Sequence, residues 1–104
     1  QRYLALAARS GADQIYRDIA LLLSVMHAPQ SADAADLQVR LEPLTASSSS
    51  LQGLALEQMA ALDLRRGDTA AAIDRLNRLV ALNDIPASLR QRAAQILSVI
   101  SQSQ

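Results

Sequence analysis

Few residues in this chain could do chemistry, and their spacing argues against most of what they could do. His27 is the only histidine and cysteine is absent, so a metal site, which needs several ligands in reach, has no second imidazole or thiolate to complete it. His27 reads instead as a polar group near a helix C-terminus, where a cation is favoured. The carboxylate pairs Asp13/Asp18, Asp33/Asp36 and Asp63/Asp68 could suggest acid–base work. They do not recur on one face, and each has a capping or ion-pair role available. Arg66-Gly67-Asp68 spells an integrin-recognition tripeptide, yet a helix ending at glycine and restarting at aspartate explains all three residues. No nucleophile elbow, phosphate loop or histidine dyad is present. The chain is therefore read as non-catalytic, with no cofactor and no metal.

Composition bounds the scaffold that positions these residues. The chain has 104 residues, 50% of them hydrophobic, but only Tyr3 and Tyr16 are aromatic. A core of Ala, Leu, Ile, Val and Met follows. Because Ala and Leu are strong helix formers and β-branched and aromatic residues are scarce, an all-α single domain over 1–104 is expected. Formal net charge is zero, and every basic residue is arginine. That balance argues against binding nucleic acid through clustered phosphate contacts, and aromatic stacking platforms are missing. Leu21–Met26 is apolar but far shorter than the ~20 residues a membrane span requires. The chain opens at Gln1 without a methionine, and Gln1–Ala8 reads as the tail of a helix already under way. The sequence is expected to be the C-terminal part of a longer protein, with an upstream anchor possible.

A pattern recurs three times. Tyr16 and Ala20, Leu51 and Ala55, and Leu89 and Ala93 are each four residues apart, at steps of 35 and 38 residues. Tyr3 and Leu6 precede Tyr16 by the 13 and 10 residues at which Leu76 and Leu79 precede Leu89. Each unit reads as the end of one helix, a loop and the start of the next, which is the mark of a two-helix solenoid repeat. Since Leu51 and Leu89 are core-type residues, Tyr16 is expected to pack between helices with its hydroxyl at the edge.

Six antiparallel helices are predicted. The first covers Gln1–Arg9, and the second runs from Asp13 to His27 and is ended by Pro29. Asp33 opens the third, which should kink or end near Glu42 because Pro43 removes a donor. Ser49 and Gln52 fit a capping box for the fourth, about Leu51–Arg66. Gly67 and Asp68 turn the chain into the fifth, about Thr69–Leu82. Pro86 suits the first turn of the sixth. The pairs Asp13–Arg17, Asp36–Arg40 and Asp74–Arg78 add i,i+4 support.

The stretch Leu54–Ile85 resembles a tetratricopeptide repeat. Aligned on Gly67, it places Ala60 and Ala72 at the small positions and Leu56, Met59 and Leu76 at large apolar ones. It departs at Asp63, where a tyrosine is usual, at Leu79, where an alanine is usual, and at Pro86, two residues late. A wider resemblance rests on Tyr16-Arg17-Asp18-Ile19-Ala20, Leu41-Glu42-Pro43-Leu44, Leu64-Arg65-Arg66-Gly67-Asp68 and Leu89-Arg90-Gln91-Arg92-Ala93. These are similar to the C-terminal half of a bacterial tetratricopeptide repeat-like family, that of the membrane-anchored ancillary Sec translocon subunit. The resemblance implies an α-α superhelix, a periplasmic domain behind one inner-membrane helix, and work with chaperones in envelope protein assembly. A cytoplasmic setting is the alternative.

Such an array presents a surface rather than a chemical pocket. On the family pattern the first helix of each pair lines the concave side, which puts Leu54, Glu57, Ala61, Leu64 and Arg65 there. The repeat offsets add Ile19, Leu22 and Met26 on one side and Arg92, Gln95 and Val99 on the other. The expected function is to hold a protein or peptide partner, with Ile19, Leu22, Met26, Glu57, Arg65 and Arg92 as candidate contacts. Ile19, Leu22 and Met26 also read as ordinary core. The alternative function is self-association into a homodimer through the apolar ridge.

Overall fold

The computed structural model describes residues 11–45 and 51–103. These form five α-helices: α1 (Gly11–Met26), α2 (Ala34–Thr45), α3 (Gln52–Arg65), α4 (Thr69–Val80) and α5 (Ala87–Ser103). No strand occurs among the described residues. The sixth expected helix, Gln1–Arg9, lies outside them.

Local chemistry sets most of the boundaries. Gly67 has φ +80°, a left-handed conformation that costs glycine nothing. Its amide donates to Leu64 O at 3.0 Å while Asp68 N donates to Asp63 O at 2.8 Å. Those two bonds make a Schellman motif that satisfies the last carbonyls of α3. One residue later the Asp68 carboxylate accepts from Ala71 N at 3.1 Å and caps α4. Asp33 opens α2 similarly, with Leu37 N donating to its carbonyl at 3.1 Å. Pro86 stands just ahead of α5, where its carbonyl accepts from Leu89 N and Arg90 N at 3.1 Å.

Three local expectations are corrected. Pro43 does not end its helix, which continues to Thr45. Beyond the proline, Leu44 and Thr45 are buried, and Thr45 Oγ1 donates to Glu42 O at 2.9 Å, so burial and a side-chain bond hold the last turn. The capping-box reading of Gln52 fails because Leu51 is the cap residue; Gln52 Nε2 donates instead to Thr45 O at 3.0 Å, while Ser49 lies outside the described residues. The ion pairs seen among the described residues link different helices, Arg75 with Asp63 and Arg92 with Glu57. The expected Asp36–Arg40 and Asp74–Arg78 pairs do not form, and Arg40 reaches Ser24 Oγ. The side chain of Asp13 lies outside the described set.

Packing follows chain order, each helix lying on the next, with α3 also touching α5. Helix α3 is the spine because it carries apolar residues on two sides. Ala55, Met59 and Leu62 join Leu22, Val25, Leu37, Leu41 and Leu44 in one core between α1, α2 and α3. Leu56 and Ala60 join Ala72, Leu76, Leu79, Leu89, Ala93 and Ile100 in a second between α3, α4 and α5. The alanines let helix axes approach closely. At 48 × 33 × 19 Å the molecule is about two helix diameters (~10 Å each) thick. Its radius of gyration, 14.5 Å, exceeds the ~13 Å of a compact domain of this length.

Candidate functional groove between α3 and α5

Helices α3 and α5 meet without filling the space between them. An open groove of about 310 Å³ is lined by Glu57, Gln58, Ala60, Ala61, Leu64, Arg92 and Ile96. A second depression of about 220 Å³ lies beside it, over Leu54, Ile85, Pro86 and Leu89, and shares Arg92. Leu54 and Leu64 keep 38% and 39% of their surface in solvent, a large share for leucines on the central helix of the five described. The reason is their spacing. Leu54, Ala61 and Leu64 fall on the side of α3 that faces neither α2 nor α4, and α5 covers it only in part.

One charge pair orders the groove. Arg92 Nε donates to Glu57 Oε2 at 2.6 Å and its terminal amine to Glu57 Oε1 at 2.9 Å. This fork-to-fork geometry fixes both side chains. The hydrogen bond to Glu57, and then its charge, raise the Arg92 guanidinium above its ordinary pKa, against a small opposing effect of burial. The Glu57 side chain is 15% exposed and that of Arg92 51%, so a ligand reaches the arginine more readily than the carboxylate. The groove offers apolar walls, one accessible cation and the Gln58 amide.

Elsewhere on α3, a polar junction locks α2, α3 and α4 together. Asp63 is fully buried and accepts from Gln38 Nε2 at 2.5 Å and from Arg75 Nε at 2.6 Å. Gln38 Nε2 also donates to Met59 O at 3.2 Å, and Gln38 Oε1 accepts from Arg66 at 2.6 Å. Every hydrogen-bonding atom buried here has a partner, which is the condition for such a junction to be tolerated. The sequence offers Asp63 a capping or ion-pair role, and the ion pair forms with Arg75; no local signal marks Gln38 as its second partner.

The candidate contacts separate into groups. Glu57 and Arg92 are brought together in the groove. Arg65 is not in it; its guanidinium donates to Ala32 O in the loop before α2. Of its two readings, contact and core, Leu22 takes the second, being 5% exposed and part of the first core. Ile19 is half-buried and Met26 exposed, and both stay on α1, away from the groove lining. Tyr16 is corrected: it is 62% exposed and does not pack between described helices. His27 is exposed, and no cluster of metal-type ligands exists among the described residues. No helix among the described residues is long and apolar enough to cross a membrane. Comparison with protein-family models, curated proteins and solved structures gives no match for this chain.

Proposed function

We propose that this chain is a protein-interaction module, a tetratricopeptide repeat-like array whose α3–α5 groove holds a short apolar segment of a partner protein. The observation that carries this reading is the partly bare face of α3, with Leu54 and Leu64 exposed beside the fixed Glu57–Arg92 pair. Apolar surface left open next to an ordered polar anchor is the usual make-up of a ligand groove. Packing in chain order with an additional α3–α5 contact supports the array. The groove's 310 Å³ suits two or three side chains rather than a folded domain. Apolar side chains of the partner lie over Ala61, Leu64 and Ile96, and a carboxylate or carbonyl of its backbone meets Arg92. By its resemblance alone we place the module in the bacterial envelope, behind an inner-membrane anchor, in the handling of other proteins.

The test is selection of peptides from a displayed random library, followed by calorimetric titration. The expected result is enrichment of apolar peptides that bind the wild type and lose binding with Leu64→Glu or Ala61→Glu, both exposed positions whose substitution spares the core. Recovery of no peptides, or of peptides indifferent to both changes, refutes the groove.

A further inference from the structure

The two ends of the array differ. The exposed side of α5 is polar, with Gln91, Gln95, Ser98 and Gln102 in solvent and Val99 its one large apolar exposed residue. That is how a terminal unit closes a stack. The exposed side of α1 is the opposite: Ile15, Tyr16, Leu23 and Met26 are between 45 and 62% exposed. At 3.6 residues per turn they share one side of the helix with the half-buried Ile19 and the exposed Ala20. The internal repeat shows what this side carries elsewhere. Ala55 and Ala93, the counterparts of Ala20, are both fully buried. The first packs in the core of Leu37, Leu41 and Leu44 from α2, the second in that of Leu76 and Leu79 from α4. Among the described residues, no helix covers the same side of α1.

We propose that this side of α1 pairs with α1 of a second copy of the chain, antiparallel across a two-fold axis. Four of the six positions of the stripe pair about one centre. In an antiparallel pair centred on residue 21, Tyr16 meets Met26 of the second copy and Ile19 meets Leu23 of the second copy, because both pairs sum to 42. No charged side chain lies within the stripe, so the two copies bring no like charges together. The polar outer side of α5 offers no matching face, so contact runs α1 to α1 and closes as a dimer instead of propagating as a filament. Covering the exposed parts of these side chains removes on the order of 900 Å² over both copies, below the ~1,200 Å² of standard specific interfaces and in the size range of weak, reversible association. The inference is independent of the groove, whose residues it does not involve.

Sedimentation equilibrium of the full chain over a wide concentration range tests it. The expected result is a monomer–dimer equilibrium in which Leu23→Glu, and separately Tyr16→Glu, raise the dissociation constant at least about 30-fold, as loss of an interface hot spot does. Helix content by circular dichroism should stay unchanged. Orientation has its own readout. Tyr16→Cys and Met26→Cys chains, mixed under oxidant, should cross-link to each other rather than to themselves. Two Tyr16 positions in the antiparallel pair are ~15 Å apart along the axis, beyond the ~7 Å reach of a disulfide. A chain that stays monomeric at its highest soluble concentration overturns the proposal and gives the face to the residues before α1 or to a different protein. Preferential Tyr16–Tyr16 cross-linking overturns it too.

Discussion

Removing the Asp63 carboxylate is the sharpest test of how the helices are held. Asp63 has no exposure and takes short hydrogen bonds from Gln38 and Arg75. Asp63→Ala removes a bond of each kind and leaves the buried Gln38 amide with its longer contact to Met59 O, 3.2 Å. A hydrogen bond to a charged group contributes ~1.5–3 kcal/mol, and a stranded buried donor costs ~1–3 kcal/mol. Arg75 is 21% exposed and recovers water, so its share is small. The expected cost is about 3 kcal/mol, a large part of the ~5–15 kcal/mol that holds a domain of this size. Arg75→Met leaves Asp63 buried with Gln38 alone and should cost about 2 kcal/mol, less than the ~3–5 of a fully buried pair. Urea unfolding followed by circular dichroism measures both. The double variant should cost at least ~1 kcal/mol less than the sum, as for residues in one network. A cost for Asp63→Ala below ~1 kcal/mol, or strict additivity, refutes the claim that this junction is one tightly coupled unit.

Three further outcomes follow from the packing. Ala93 is fully buried in the second core, so Ala93→Leu should overpack it and cost ~1–3 kcal/mol by chemical denaturation; a neutral effect would contradict close approach there. A Cβ on Gly53 would lie 3.0 Å from both Ile85 Cγ2 and Leu89 Cδ2 and 3.4 Å from Leu79 Cδ1. Crowding should therefore outweigh the gain in helix propensity (up to ~1 kcal/mol), and Gly53→Ala should lower the unfolding midpoint; a raised midpoint would show that these side chains yield freely. Asp68→Ala removes the cap on α4 and should cost ~1 kcal/mol in the same assay, whereas Asp68→Asn should be nearly neutral.

What could be read from the sequence was what local rules determine. Ala55, Met59 and Leu62 of α3, Ala72, Leu76 and Leu79 of α4, and Leu89 and Ala93 of α5 are buried as their helical period implies, while Leu54 and Leu64 are not, and Gly67–Asp68 turns the chain where capping chemistry says it must. The polar junction was not legible, because Asp63 finds Gln38 25 residues away and Arg75 12 residues away, and nothing local marks a carboxylate destined for burial. The family pattern put Glu57, and the repeat offset Arg92, on the expected concave side. Their pairing was not legible, since it depends on how closely α3 and α5 approach. Tyr16 departs for a related reason. The repeat identifies which side of a helix takes a neighbour, but the helix expected beside Tyr16, Gln1–Arg9, lies outside the described residues; on α1 the side facing α2 buries Leu22 while Tyr16 is exposed.

Backbone-amide NMR during titration with a selected apolar peptide tests the central claim most directly. The account predicts shifts concentrated at Leu54, Glu57, Ala61 and Leu64 on α3 and at Arg92 and Ile96 on α5, all lost in Leu64→Glu. Shifts confined to α1 or α4, or spread evenly over the chain, would contradict it.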